Sequence, residues 1–387
     1  MPIAVTILRS CLLLALLTGC ASPHSTPATD TAATPSSVSA PASPVTTVNS
    51  DHRELVIYED LNAGSSSAAR RQPPVRADGT LQPWALEWAQ ALEAQRQIPV
   101  ALTTSLLQQA KYNATAAKLM APSKGRIKKS WVTYRNRFVE PIRIREGVTF
   151  WRNHAETLAK AEQQYGVPAS ILVAIIGVET LYGKYTGDFN VLEVLSTLGF
   201  SYPDDSRPER GELFRNQLAD LIYLHQAGIL DASTVEGSFA GAMGLPQFMP
   251  GSLLRYAKDG DNNGNINLHD SIADVSASIA NFLLEHGWVV GQPAFLDVAL
   301  PAQPDSLVTG GLEATLNWNT LYPNQPAPGA LASVPLGIVN LVDEPRGTVE
   351  YRVATPSFFS ITHYNRSYFY AASVVELANA LEAAMKK

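Results

Sequence analysis

Three features of the 387-residue sequence predict a mainly helical α+β protein. Segments with apolar residues at helical spacing follow one another from about Leu81 to His286. One of them, Ile171 to Val178, is apolar on every side. Strand-like patterns gather only near the end, in LGIVNLV (336–342) and GTVEYRV (347–353). With 46% hydrophobic and 17% charged residues, the chain can bury one large core or two moderate ones. A formal net charge of −6, without a long basic run, argues against nucleic acid as a partner.

The chain opens on MPIAVTILRSCLLLALLTGC, with one positive charge at Arg9 and an apolar segment from Cys11 to Leu17. That segment is too short to span a bilayer and has the layout of a signal peptide, residues 1–19. Its end, Leu17-Thr18-Gly19-Cys20, resembles the bacterial lipobox, in which cleavage precedes a cysteine that then carries the lipids; Cys20 is the expected lipidation site. The alternative is an ordinary secretory signal with a chance cysteine. Cys11 and Cys20 are the only cysteines, so Cys20 has no disulfide partner in a mature chain. Ala21 stands where an Asp usually marks retention in the inner membrane. The resemblance therefore implies a lipid anchor in the outer membrane of a Gram-negative bacterium, facing the periplasm.

Residues 21 to about 50 are almost wholly Ser, Thr, Pro and Ala and cannot bury a core. The stretch 20–73 is predicted to be a lipidated cysteine followed by a disordered tether. Its first thirty or so residues reach about 30 Å as a coil and on the order of 100 Å when stretched. LVIY at Leu55 to Tyr58 is either a short strand or part of this leader.

From Leu81 the spacing predicts helices around Trp84, Trp88, Ala91 and Leu92, over Val100 to Gln109, over Asn113 to Met120, and over Glu146 to Tyr165. Ser123 to Arg145 is basic and aromatic, either a solvated face or a surface for an anionic polymer. Further helices are expected over Asn190 to Leu198, Glu212 to Ala227, from near Pro250, over Ser271 to His286, and over Ala371 to Met385. The strand runs are joined by a turn at Glu344-Pro345-Arg346.

Within VPASILVAIIGVETLYGKY (167–185), Pro168 suits the first turn of a helix and Gly183 its stop. A run apolar all round predicts a helix buried on all faces, with Glu179 in its last turns. Desolvation and the negative end of the helix dipole both disfavour the ionised carboxylate and raise its pKa. That suits a general acid working near neutral pH. A structural Glu paired with Lys184 or a distant Arg is the other reading of the same position.

DGDNNGNINLHD (259–270) has oxygen-bearing side chains at loop positions one, three, five and nine (Asp259, Asp261, Asn263, Asn267). Gly264 at six allows the sharp turn, Asn265 at seven offers its carbonyl, and Ile266 at eight faces the core. This matches an EF-hand calcium loop, with Asp270 at position twelve in place of the usual Glu; a polar turn is the alternative. No organic cofactor is implied, and the seven histidines show no paired ligand spacing. GSFAGAMGLPQFMP (237–250) carries three glycines and two alanines that let backbone approach something closely. Either a ligand lies there, bonded by Ser238 and Gln247, or the segment packs closely against helices.

Together these stretches resemble one family, the lytic murein transglycosylases of the membrane-bound B type, glycoside hydrolase family 103. The resemblance is carried by YRNRF at Tyr134, Phe150-Trp151, the Glu179 segment, GSFAGAMGLPQFMP, the calcium loop, ANF followed by HGW at Trp288, and ITHYNRS with Tyr370. It implies a lysozyme-like helical core that acts on peptidoglycan glycan strands. The bond cleaved is the β-1,4 link between N-acetylmuramic acid and N-acetylglucosamine, broken without water to leave a 1,6-anhydromuramoyl end. It assigns Glu179 as the sole acid/base and makes Ser238 and Gln247 hydrogen-bonding groups at the sugar. Tyr134, Tyr364 and Tyr370 are placed around the glycan groove. Phe282 stands where the family often has Tyr, and Asp204 and Asp205 stand where paired arginines are frequent. The implied organisation is a catalytic region over 74–387, with its helical core about 160–290 and flanking parts 74–159 and 291–387.

Two rivals are distinguishable. A lysozyme-type muramidase would use Asp188 or Glu193 as second carboxylate, with water as attacker. A calcium-stabilised peptidoglycan-binding lipoprotein would have a degenerate site.

Overall fold

The computed structural model describes residues 73–123 and 125–387, together with two short strands nearer the N-terminus. These are β1 (Val45–Val48) and β2 (Glu54–Ile57), paired antiparallel with Val45 opposite Ile57. Both fall inside the stretch expected to be a structureless tether. Runs of Val, Thr and Ile suit a pleated strand, and Leu55, Val56 and Ile57 of the LVIY run lie in β2. The expected signal peptide, Cys20 and the rest of the tether up to residue 72 lie outside the described residues.

Six helices precede the apolar run: α1 (Pro83–Arg96), α2 (Val100–Gln109), α3 (Ala114–Met120), α4 (Trp131–Phe138), α5 (Pro141–Asn153) and α6 (Ala155–Tyr165). Asn113 and Ser130 cap α3 and α4 by accepting from the N–H groups of Ala116 and Thr133. The single helix expected over Glu146–Tyr165 is two. The chain turns at His154 (φ −120°, ψ 24°), and α5 starts earlier, at Pro141, where the Glu140 carboxylate accepts from the N–H groups of Ile142 and Arg143.

Helix α7 (Ala169–Thr180) lies at the centre, packed by α5, α6 and two later helices, α11 (Ile272–Glu285) and α14 (Tyr368–Met385). Between them come β3 (Phe189–Asn190), α8 (Val191–Phe200), α9 (Pro208–Gln226), β4 (Glu236–Gly237), α10 (Pro250–Tyr256), α12 (Trp318–Leu321), the strands β5 (Gly337–Asp343) and β6 (Thr348–Ala354), and α13 (Pro356–Asn365). Every residue of α7 is buried except Glu179. Each of its fully covered Leu, Ile and Val side chains contributes about 1.5–3 kcal/mol relative to exposure.

The β5–β6 hairpin divides two cores by strand alternation. Val339, Leu341 and Ala354 join the main core, whereas Ile338 and Val353 join a smaller one with Trp318, Leu321 and Tyr322. The hairpin also holds the start of α4, because Asp343 Oδ2 accepts from Val132 N–H (2.9 Å) and from the Ser130 hydroxyl (3.0 Å). The basic segment 123–145 is partly engaged within the fold, with Lys128 and Lys129 exposed. Arg135 pairs with Glu376 and Arg143 is buried, whereas Arg126 and Arg145 remain exposed while pairing with Glu344 and Glu146. At the other side, Arg96 of α1 donates to Asp220 of α9 at 2.6 Å with both side chains buried, and Arg255 of α10 reaches the second Asp220 oxygen at 3.4 Å. No helix among the described residues is long and apolar enough to cross a membrane.

Candidate active site

Glu179 owes its position to how α7 ends. The helix closes on Leu181 in the left-handed conformation (φ 50°, ψ 51°), two residues before the Gly183 expected to stop it. Tyr182 (φ 60°) and Gly183 (φ 86°) continue in the same region. Thr180 stabilises this turn: its hydroxyl accepts from Gly183 N–H at 3.0 Å, lies 3.1 Å from the Ile176 carbonyl and 3.4 Å from that of Leu245. Lys184 pairs with Glu146 at 2.8 Å, so it is not the ion-pair partner that the sequence left open for Glu179.

Three tyrosines face Glu179 from three elements. Tyr370, at the start of α14, donates its hydroxyl to Glu179 Oε1 at 2.6 Å. Tyr364 of α13 stacks on Tyr370 with ring centroids 6.2 Å apart and donates to the Pro246 carbonyl at 3.0 Å. Tyr134 of α4 is 4% exposed, and its hydroxyl has no hydrogen-bond partner among the described residues. Burial raises all three phenols, and the Glu179 carboxylate raises them further.

Although Glu179 faces out of its helix, protein surrounds its carboxylate, and desolvation pushes its pKa up to about 7, opposed by the hydrogen bond from Tyr370. Neither Asp188 nor Glu193 contributes to that shift. Because the bond from Tyr370 favours the ionised form, Tyr370→Phe should move the alkaline limb of activity to higher pH. A pH–rate profile in which the limb stays still or moves down would contradict the assignment.

The glycine-rich loop lies beside this turn. Gln247, itself at φ 49°, donates from Nε2 to the carbonyls of Thr186 and Gly244, both at 3.0 Å, and so ties the loop to the segment after Glu179. Ser238 is buried, and its hydroxyl oxygen accepts from Ala242 N–H at 3.0 Å, closing the loop on itself. The glycines serve close packing. A Cβ at Gly187 would meet the Gly237 carbonyl oxygen at 2.1 Å, and one at Gly244 the Leu268 carbonyl oxygen at 2.4 Å. Phe282 is buried among Phe248, Tyr256, His286 and Tyr364 (ring centroids 5.7, 5.0, 4.1 and 4.8 Å away), so it backs the groove wall through Tyr364.

Leu245 N–H donates to the Leu268 carbonyl at 2.8 Å, which joins this loop to the acidic one. There the carboxylates of Asp259, Asp261 and Asp274 converge, with one oxygen from each within 4.8 Å of the others. Asp274, in the first turn of α11, is fully buried and was not named by the twelve-position spacing. An acidic residue four positions beyond the loop was the signal available. Asp270 instead meets Asn267 Nδ2 at 3.4 Å; the side-chain oxygens of Asn263 and Asn267 accept backbone N–H groups within the loop, and Asn265 donates one of them. Burial raises the Asp274 pKa, and the Asp261 charge adds to it. Three converging carboxylates, those of Asp259 and Asp274 buried and that of Asp261 exposed, fit a hard divalent cation with oxygen ligands.

A cavity of about 520 Å³ opens elsewhere, against Pro168, Ser170 and Ile171 at the opposite end of α7. At about 1.5 Å rise per residue it lies more than 10 Å from Glu179 and is separate from the tyrosine-lined site.

Residues 80–379 match the family described as the transglycosylase SLT domain. The chain belongs to this family of lytic transglycosylases. It is 36% identical over 254 residues to membrane-bound lytic murein transglycosylase B of Escherichia coli K12, covering 65% of this chain and 67% of that protein. The SltB1 lytic transglycosylase of Pseudomonas aeruginosa superposes with a TM-score of 0.70 at 35% identity, over 79% of this chain and 98% of that one. The Escherichia coli lytic transglycosylase SLT35 in complex with calcium gives 0.67 at 32% identity, over 81% and 97%. The lytic transglycosylase is thus a peptidoglycan-cleaving, lyase-type enzyme, and its mainly helical architecture is that of the lysozyme-like fold read from the sequence.

Proposed function

We propose that Glu179 is the acid and then the base of this lytic transglycosylase. The observation that carries the reading is the placement of its carboxylate: at the one partly exposed position of a buried helix, enclosed by protein, bonded on Oε1 by Tyr370 and poised near pH 7. With Oε1 engaged, Oε2 carries the proton to the glycosidic oxygen between N-acetylmuramic acid and N-acetylglucosamine. The resulting carboxylate is stabilised by the Tyr370 hydroxyl and takes the proton from the C6 hydroxyl of the same sugar as it closes on C1. Water is not consumed, and a 1,6-anhydromuramoyl end is left. Tyr134 offers an unengaged hydroxyl beside the acid, and Tyr364 a ring face for sugar C–H groups. Substrate contact by Ser238 and Gln247 requires them to add to bonds that they already make within the loop.

Mass spectrometry of the sugar ends released from purified murein tests this reading. Anhydro ends are expected; reducing N-acetylmuramic acid would instead assign a lysozyme-type hydrolysis.

The Asp259–Asp261–Asp274 cluster supports a structural calcium ion that braces the glycine-rich loop through the Leu245–Leu268 bond. Calcium at 100 times its Kd should add about 2.7 kcal/mol to stability and raise the melting temperature, and a chelator should reverse this. A melting temperature insensitive to both would leave the loop as a turn only. The lipobox-like end at Cys20 supports a lipid-anchored protein on the periplasmic side of the outer membrane. Cys20→Ala should release the protein in soluble form, and persistent membrane association would refute the anchor.

A further inference from the structure

We infer that Tyr182 is a positioning residue for the acid: its ring is a wedge, seated in a slot between two helix glycines, that fixes the last turn of α7 and hence the direction of the Glu179 carboxylate. The inference rests on Glu179 being the acid/base, as proposed above. The slot is made by Gly147 in the middle of α5 and Gly177 near the end of α7. A Cβ at Gly177 would lie 2.5 Å from the Tyr182 hydroxyl oxygen and 2.6 Å from Cζ, and it would meet no other residue's atoms as closely. A Cβ at Gly147 would lie 2.2 Å from the same oxygen. Glycine costs about 1 kcal/mol relative to alanine inside a helix, so two facing glycines are a concession to what lies between them.

The backbone supports the same conclusion. Leu181 and Tyr182 are consecutive non-glycine residues with φ of 50° and 60°, a conformation that persists only where the surroundings hold it. Tyr182 provides that hold by turning its ring back under α7, where it stacks on Phe150 of α5 with centroids 5.4 Å apart. Arg143 Nε, from the same helix, donates to the Gly177 carbonyl at 2.9 Å, so the turn carrying Glu179 is gripped by α5 at two points. The Tyr182 hydroxyl is buried without a hydrogen-bond partner among the described residues. The volume that the ring and its oxygen fill between the glycines is therefore what matters, and hydrogen bonding by the hydroxyl is dispensable.

The titratable groups facing Glu179 are Tyr134 from α4, Tyr364 from α13 and Tyr370 from α14; those facing Tyr182 are Arg143, Glu140 and Glu146 at α5. None of these is altered by changes at Tyr182 or Gly177. If the turn loosens, water reaches the Glu179 carboxylate, desolvation weakens, and the alkaline limb of activity must move to lower pH.

The test compares Tyr182→Ala, Gly177→Ala, Tyr182→Phe and the Gly177→Ala/Tyr182→Ala double variant on soluble glycan fragments, at temperatures where circular dichroism shows each to be folded. Tyr182→Ala and Gly177→Ala should each lower kcat by about tenfold to a hundredfold, since small misplacements of a catalytic group cost that much, with KM nearly unchanged and the alkaline limb at lower pH. Tyr182→Phe should match the parent. The double variant should be no worse than Tyr182→Ala, because the group that Gly177→Ala displaces is already gone. A lowered melting temperature with unchanged kcat and pH limb in Tyr182→Ala would make Tyr182 merely structural and overturn the inference. Loss of activity in Tyr182→Phe would overturn it too, by giving the work to the hydroxyl. Full activity in Glu179→Gln would instead remove the underlying reading, whatever Tyr182 does.

Discussion

Glu179→Gln should reduce lytic activity by at least about 10³-fold and, at the same time, stabilise the folded protein above pH 7. General acid–base catalysis by one positioned group is worth roughly 10² to 10⁴ in rate, and in the proposed mechanism one group serves both proton transfers. The gain in stability follows from the same burial. The Glu179 pKa is raised from 4.5 to about 7, so the folded protein holds this proton more tightly than the unfolded chain does. Stability is therefore lost as pH rises from 4.5 to about 7, by at most about 3 kcal/mol, and the loss is complete above 7. A neutral Gln escapes it. Urea unfolding of both proteins at pH 5 and pH 8 should give curves that diverge much more at the higher pH. Equal stability at pH 8 would mean that burial does not raise the carboxyl's pKa, and retained lysis would remove Glu179 from the mechanism.

Asp220→Ala should damage the fold itself more than any substitution at the active site, costing about 3–5 kcal/mol, because it leaves the Arg96 guanidinium, 1% exposed, without the carboxylate that it meets at 2.6 Å. Burial pushes the Asp220 pKa up while Arg96 and Arg255 oppose it, the signature of an ion pair whose desolvation is incompletely offset. Replacing the pair together, as Arg96→Met with Asp220→Leu, should recover most of the loss. A cost below about 1 kcal/mol for Asp220→Ala in thermal or denaturant unfolding would show that the pair is not a staple between α1, α9 and α10.

The helical frame was legible because periodicity survives without context: the Val100–Gln109 helix, the buried run ending in Glu179, and the strand pair near the end all stand where the pattern places them. The break at His154 was not, since no Gly or Pro marks it. Glu179 could be picked out as an isolated carboxyl after an apolar run, but its partners could not. Tyr370 is 191 residues away, and only the resemblance brought it into view. Asp274 escaped because a fixed twelve-residue template has no place for a ligand supplied by the following helix. Tyr182 escaped for a different reason. A tyrosine after a helix is commonplace in sequence, and its meaning lies in two glycines that periodicity reads as mere weak points.

The separation between Glu179 and Tyr370 also bears on the order in which the molecule is built. The helix carrying the acid is covered by α14, whose last described turn is at Met385. A chain emerging N-terminus first presents the whole α7 segment long before that cover exists, and Glu179 meets Tyr370 only once the α14 segment has followed it. Until then the carboxyl sits in water, ionised at neutral pH and unable to donate. On the proposed role of Glu179, proton donation therefore depends on α7 and α14 having met.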